Sequence, residues 1–237
     1  MTARQQLPAL YLTMPHACSY FPERRATMLF ADPRHPAQDS VYEKLIHFGF
    51  RRSGDFVYRP HCQHCAACVP VRIPVDTFKP SRGQRRTWRK NQDLTVEPCE
   101  PVFRPDHFEL YQRYQAGRHP NGGMDDPDPE KYIDFLTSAH TRSCFYEMRL
   151  EGKLLCVAAV DRFRDAFSAV YTFYDPEQSR RGLGVYAILW EIAEAKRLGL
   201  SWLYLGFWIK DRQKMAYKAD YRPLEVYRDQ QWVPFGQ

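Results

Sequence analysis

Cys62, Cys65 and Cys68 form a C-x-x-C-x-x-C run flanked by His61 and His64. Thiolates two residues apart can turn around one metal ion. The segment could therefore hold zinc or an iron–sulfur cluster at Cys62, Cys65 and Cys68, with Cys18 or a histidine as fourth ligand. The same thiols could equally pack, reduced, in a small strand-rich region. Downstream, residues 79–90 read KPSRGQRRTWRK, six basic residues of twelve and none acidic. Arg82, Arg85, Arg86 and Arg89 recur at three- and four-residue spacing, one face of a helix. Such a stripe, with Lys90 beside it, suits phosphate contacts that position a nucleic-acid backbone rather than read its bases.

Two further groups could carry chemistry. Gln178–Gly184 is a glycine loop that opens a helix, and backbone N–H groups at a helix N-terminus favour anions. It resembles the loop that holds the coenzyme A pyrophosphate in acetyltransferases of the GNAT type. Here Ser179 stands where that loop has Arg or Gln. Aromatic residues crowd Tyr171–Tyr174, Tyr204–Trp208 and Tyr217–Tyr221, mostly at core spacing. The polar exceptions are Asp175, Lys214, Tyr217 and Lys218, at strand or helix ends where a cleft would open.

The elements that position these groups follow from hydrophobic period and breakers. A helix is expected from an Ser40 cap to Gly49, then strands at 56–58 and 69–75. Pro98, Pro101 and Pro105 divide the chain into an N-terminal cysteine-rich, basic domain (1–100) and a second domain (101–237). The second is expected to run helix 106–116, loop 120–123, helix 129–138, strands 144–150, 154–161 and 167–174, helix 182–198, strand 202–208, helix 211–217 and strand 224–227. Glu151-Gly152 should make a hairpin turn. This order gives an α+β fold with a GNAT-like (acetyltransferase-fold) catalytic domain behind a smaller cysteine-containing N-terminal domain.

The composition is ordinary for a globular chain: 237 residues, 44% hydrophobic, 26% charged, formal charge +6. That excludes a disordered chain, a collagen and a disulfide miniprotein. The longest apolar run is the seven residues 154–160, against about 20 for a bilayer span. No membrane partner and no secretory signal are expected, and the location expected is cytoplasmic.

Several blocks together resemble the arginyl-tRNA–protein transferase family, most closely its bacterial leucyl-transferring branch. They are Cys18-Ser19-Tyr20, Gly49–Gly54 with Tyr58-x-Pro60, Cys65–Arg72 and Phe78-x-Pro80-Ser81-Arg82. In the second half they are Tyr174-Asp175-Pro176, Leu183–Tyr186 and Lys214-Met215-x-Tyr217-Lys218-x-x-Tyr221-Arg222-Pro223. The resemblance implies transfer of leucine from leucyl-tRNA to the α-amine of proteins beginning with Asp or Glu, in the N-degron pathway. It implies aminolysis of an activated ester, with no cofactor required for the chemistry and zinc or an iron–sulfur cluster left open at the cysteines. Asp175 is then the candidate for orienting or deprotonating the amine. Tyr174 and Tyr217 are candidates for donors to the oxyanion or leaving oxygen. Lys214 and Lys218 would hold the tRNA 3′ end, and Arg82, Arg85, Arg86, Arg89 and Lys90 the acceptor stem. Arg51 or Arg52 would meet the acidic side chain, and Phe173, Phe207 or Trp208 would line a leucine pocket. The alternatives are arginyl transfer by the same mechanism, a coenzyme A-dependent N-acetyltransferase and a non-catalytic RNA-binding module.

Overall fold

The computed structural model describes residues 8–35, 38–118 and 128–236. Six short strands come first: β1 (Leu10–Leu12), β2 (His16–Ala17), β3 (Arg25–Ala26), β4 (Met28–Ala31), β5 (Arg51–Ser53) and β6 (Phe56–Pro60). β1, β4, β6 and β5 pair in that order, all antiparallel, and β2 pairs with β3. Helix α1 (Gln38–Leu45) and a 3-10 turn (Ile46–Phe48) lie between β4 and β5 and stop at Gly49, as the sequence predicts. Gly49 has φ +77°, and a Cβ there would come within 2.7 Å of the Pro70 ring, so only glycine fits. Ser40 is not the cap: the helix begins two residues earlier.

Eight strands form one large sheet: β7 (Val69–Pro74), β8 (Thr95–Cys99), β9 (Arg142–Leu150), β10 (Lys153–Arg162), β11 (Ala166–Tyr174), β12 (Trp202–Trp208), β13 (Glu225–Arg228) and β14 (Gln231–Pro234). Their spatial order is β14-β13-β7-β12-β11-β10-β9-β8. The β9–β10 turn carries Glu151 and Gly152 at φ 48° and 84°, the left-handed pair that a two-residue hairpin needs. The sheet crosses the expected division at residue 100. β7 lies between β12 and β13, and β8 closes the far edge against β9. Val69, Val71 and Ile73 alternate inward along β7, so burial of one β7 face ties the first hundred residues into the second domain's core. Pro98 does not break β8, because an edge strand leaves one side of its backbone unpaired.

Helices cover both faces. Helix α2 (Arg82–Lys90) precedes β8, while α3 (Pro105–Arg118) and α4 (Pro129–Leu136) precede β9. Leu110, Tyr111, Tyr132 and Leu136 of α3 and α4 pack on Phe145, Val157 and Phe173. Helix α5 (Leu183–Arg197) covers the other face, with Leu183, Ile188 and Ile192 against Met148, Cys156 and Leu203. It joins β11 to β12, the parallel pair, which needs a crossover of this length. The expected helix at 211–217 is α6 (Gln213–Ala216), continued by a 3-10 turn at Tyr217–Asp220. The expected loop at 120–123 lies outside the described residues.

Candidate active site

The parallel pairing of β11 with β12 ends at Ser168 opposite Tyr204, although the strands run on to Tyr174 and Trp208. A bulge follows in β12 at Gly206, whose φ is +72°. The strands therefore part, and side chains from four places in the chain meet along the opened edge of β12.

Arg51, on β5, lies over the Phe207 ring at 5.7 Å. A Cβ on Gly206 would stand 3.2 Å from its Nη1, so the glycine admits the guanidinium. No carboxylate among the described residues forms an ion pair with Arg51; burial opposes its charge, and Tyr58, Tyr20, Tyr42 and Tyr217 favour it. Lys218 is 5% exposed. Its Nζ donates to the Phe207 carbonyl at 2.6 Å. Burial first, and the Arg51 charge second, hold its ammonium well below the ordinary lysine range. Tyr217 opens the group to solvent, with 42% of its surface exposed. Desolvation pushes its hydroxyl up to about 12, with Glu191 and Tyr174 adding and Arg51 opposing. The hydroxyl is thus a proton donor at neutral pH.

Arg52 does not join this group, which corrects one sequence expectation. Successive side chains on a strand leave opposite faces. Arg52 is buried and engaged on all three nitrogens: Nε and Nη2 donate to Asp161 at 2.6 and 2.7 Å, and the rest to Thr137 and Leu136 carbonyls and Ser143. Asp175 is also committed elsewhere. Its Oδ1 accepts from the Glu177 N–H at 3.1 Å and caps the 3-10 turn Pro176–Arg181. Arg113 and Lys153 stand 3.5 and 3.7 Å from the carboxylate. This holds the chain just after Tyr174, while Oδ2 of Asp175 is buried without a hydrogen-bond partner among the described residues. Tyr174 itself packs on the α5 start, its ring 3.2 Å from the Cβ position of Gly184. Phe173 faces the opposite side, in the α3–α4 core, and cannot line a pocket here. Phe207 is buried, with the Arg51 guanidinium over its ring. Trp208 stacks edge-on to Phe235 and donates to the Ala216 carbonyl.

The basic run is helix α2, opened by a capping box between Ser81 and Gln84. Gln84, Thr87, Trp88 and Asn91 turn inward, while Arg82, Arg85, Arg86 and Arg89 are exposed. Gln84 also donates to the Asp220 carbonyl at 3.2 Å, so the helix is fastened to the turn that carries Tyr217 and Lys218. Lys90 is turned the other way, donating to the Arg180 carbonyl at 2.7 Å, and Asn91 donates to that of Arg181 at 2.9 Å. A Cβ on Gly182 would stand 3.4 Å from the Thr87 methyl. The glycine loop is therefore covered by α2. Lys214 is exposed on α6.

Cys18, Cys62, Cys65, Cys68 and His61 line one open cavity of about 400 Å³ beside the cleft; His64 is exposed and not in its wall. No three of the four sulfurs lie within 4.8 Å of one another. Cys65 accepts from Arg24 at 3.5 Å and Cys62 donates to the Thr27 carbonyl at 3.7 Å. The four thiols share the wall of this cavity without closing to within 4.8 Å in threes. The trio among the described residues that meets the 4.8 Å condition is Cys99, His107 and Glu147. Burial pushes the Glu147 carboxyl up, but Arg149 at 2.6 Å and His107 at 2.7 Å outweigh that and hold it at about 2. With arginines already neutralising it, this trio is a structural ion pair.

One buried acid escaped the sequence reading. Glu191 lies on α5, fully buried, with neither carboxylate oxygen hydrogen-bonded among the described residues. Its signal was available: an acid on the apolar face between Ile188 and Ile192.

Two family models match the chain, arginine-tRNA-protein transferase N terminus over residues 16–86 and C terminus over 106–228. A protein of Pseudomonas fluorescens (strain Pf0-1) named aspartate/glutamate leucyltransferase is 54% identical over 223 residues, 94% of this chain and 95% of that one. One of the same name from Nitrosococcus oceani is 53% identical, covering 94% of each. Among solved structures, FemX aligns over 86% of this chain and 81% of its own at 10% identity and TM-score 0.47.

Proposed function

Because the chain belongs to the arginine-tRNA-protein transferase family, we propose that it transfers leucine from leucyl-tRNA to the α-amine of proteins that begin with Asp or Glu. It is an aminoacyltransferase. The ester of an aminoacyl-tRNA is already activated, so its aminolysis needs acid–base and positioning groups and no cofactor. Products that carry a new N-terminal leucine would be N-degron substrates, and their supply of tRNA would place the reaction in the cytoplasm. The crossover from β11 through a glycine-led α5 to a diverging parallel strand supports an acetyltransferase-type (GNAT-like) core.

The observation that carries this reading is Arg51. A half-buried arginine without an acidic partner among the described residues, beside Lys218 and Tyr217, suits the carboxylate of an Asp or Glu side chain. With that side chain held, the α-amine lies among Lys218, Tyr217 and Tyr174. Tyr217 donates to the oxyanion or to the leaving ribose oxygen, and Tyr174 supports it. Lys218, weakly basic and fixed to the Phe207 carbonyl, orients the ester end. The outward arginines of α2, with Lys214 nearby in sequence to the reacting turn, follow the tRNA backbone. A coenzyme A acetyltransferase is disfavoured by the same packing: Thr87, Lys90 and Asn91 cover the loop that a pyrophosphate would need.

The test is a transfer assay with radiolabelled leucyl-tRNA or arginyl-tRNA and peptides that start with Asp, Glu, Lys or Ala. Leucine on the Asp and Glu peptides alone is the expected result. Arginine on those peptides would keep the family and change the donor. No label on any peptide, from folded protein, would remove the reading.

A further inference from the structure

We propose that Gln84 is a positioning residue of the transfer step: its side-chain amide fixes the turn that carries Tyr217 and Lys218 against the helix that faces the tRNA. The proposal rests on the aminoacyl-transfer reading above. Gln84 is the buried residue of α2, 6% exposed among outward arginines. Its amide is used twice. Oε1 accepts from the Ser81 N–H at 2.8 Å and closes the capping box, while Nε2 donates to the Asp220 carbonyl at 3.2 Å. Capping alone does not account for a glutamine. A glutamate would accept the same bond and would place a favourable negative charge at the helix N-terminus. What a carboxylate lacks is the donor that reaches Asp220.

The Asp220 carbonyl ends the 3-10 turn Tyr217–Asp220, where the last carbonyls have no partner within the turn. Two bonds tie this segment to β12. Lys218 donates to the Phe207 carbonyl at 2.6 Å, and the Trp208 indole donates to that of Ala216 at 3.2 Å. Further ties run to the segment that opens α2. Phe78 stacks on Tyr221 with ring centroids 6.3 Å apart, and the Lys79 N–H donates to the Arg222 carbonyl at 3.0 Å. Gln84 completes this seam. The other end of α2 is fixed as well, because the Asn91 side chain donates to the Thr87 and Arg181 carbonyls, both at 2.9 Å. Helix, turn and β12 are therefore one hydrogen-bonded unit. An α2 arginine that takes a phosphate of the tRNA thereby sets where Lys218 and Tyr217 stand relative to the ester at its 3′ end. A misplacement of about 1 Å at reacting groups can cost about 100-fold in rate. Gln84 acts on them through the backbone of the turn, two residues from Lys218.

The experiment uses three variants of the full chain: Gln84→Glu, Gln84→Met and Ser81→Ala. Gln84→Glu keeps the cap and loses the donor to Asp220. Gln84→Met loses that donor without adding charge. Ser81→Ala breaks the other half of the cap and keeps the donor. Three quantities are read: leucyl-tRNA affinity by filter binding, KM for an Asp-initiated peptide, and the single-turnover transfer rate with both substrates saturating. Both Gln84 variants are expected to lower the saturated rate roughly 10- to 100-fold, with tRNA affinity and peptide KM within about threefold of wild type. Ser81→Ala is expected to keep the rate within about threefold. An equal loss in Ser81→Ala would make the cap responsible and overturn the proposal. So would an unchanged saturated rate in either Gln84 variant, or a loss confined to tRNA affinity. Melting curves confirm the fold, and if one Gln84 variant does not fold the other decides. Absence of leucine transfer by wild type would instead remove the underlying reading.

Discussion

Arg51 and Arg52 are neighbours in sequence and leave opposite faces of β5. Arg51 reaches the cleft over Phe207, while Arg52 is locked in a buried pair with Asp161. Their variants should therefore fail differently. Arg52→Met strands a buried Asp161 charge and is expected to cost about 3–5 kcal/mol of stability in urea unfolding. Arg51→Met should keep stability within about 1 kcal/mol. Its kcat/KM on Asp- and Glu-initiated peptides should fall by roughly 100-fold or more. Equal loss of stability in both would contradict the assignment.

Lys218 separates fold from function. Its folded-state ammonium is held well below the ordinary lysine value of 10.5 by burial and Arg51. The unfolded chain then binds the extra proton in the window between those values, so the Lys218 contribution makes stability rise with pH there. Lys218→Met should lose that rise, read by chemical denaturation at pH 7 to 10. Its transfer rate should fall by about 100-fold or more. A variant with unchanged transfer would exclude Lys218 from the site.

The outward arginines of α2 should act additively and through charge. Replacing Arg86 and Arg89 by Gln is expected to weaken tRNA binding and to lower the slope of log K against log salt by roughly 0.7–0.9 per arginine. Peptide KM should stay constant. Filter binding across 50–250 mM salt reads the slope, and an unchanged slope would move the tRNA elsewhere.

Glu191 leaves a thermodynamic mark of its burial. Its folded carboxyl titrates at about 8 and its unfolded one near 4.5. The folded state holds the proton more tightly, so wild type should lose stability as pH rises from 4.5 through about 8. Glu191→Gln should lack that decline. The difference is expected to reach about 3–5 kcal/mol above pH 8 at 1.36 kcal/mol per unit. Parallel stability curves for the two proteins would mean that Glu191 is not desolvated.

Among the cysteines, Cys65 should react first. An Ala67 N–H bond lowers its thiol against partial burial, with Arg24 adding. Burial pushes Cys68 and Cys99 up to about 12. Brief iodoacetamide treatment at pH 7, read by peptide mass mapping, is expected to label Cys65 well before Cys68 or Cys156.

The elements that depend on local rules were legible in the chain. The α2 stripe, the 151–152 hairpin, the Gly49 stop and the α5 periodicity all follow from residue spacing within one or two turns. The family was legible as well, because it rests on ordered blocks along most of the chain, and the matches over residues 16–86 and 106–228 agree. Long-range placement was not. Val69–Pro74 reads as a strand of the first hundred residues, yet it pairs with β12 and β13, more than a hundred residues away. Sequence carries a strand's inward face but not its partner.

The same limit governs the site. Residue types, read together with the family resemblance, named Arg51, Tyr174, Tyr217, Lys218 and the basic helix as candidates for chemistry. Tertiary structure decided which of them meet. Arg52 and Arg51 are alike in type, and only Asp161, across the fold, takes one out of solvent. Asp175 is a candidate base by its type, and only the fold sets Arg113 and Lys153 beside it; Glu191 is an acid in the sequence, and only burial leaves its oxygens without hydrogen-bond partners among the described residues. Charge and hydrogen-bonding capacity belong to the residue and can be read from sequence. Desolvation and field belong to the neighbours, which only the folded chain supplies.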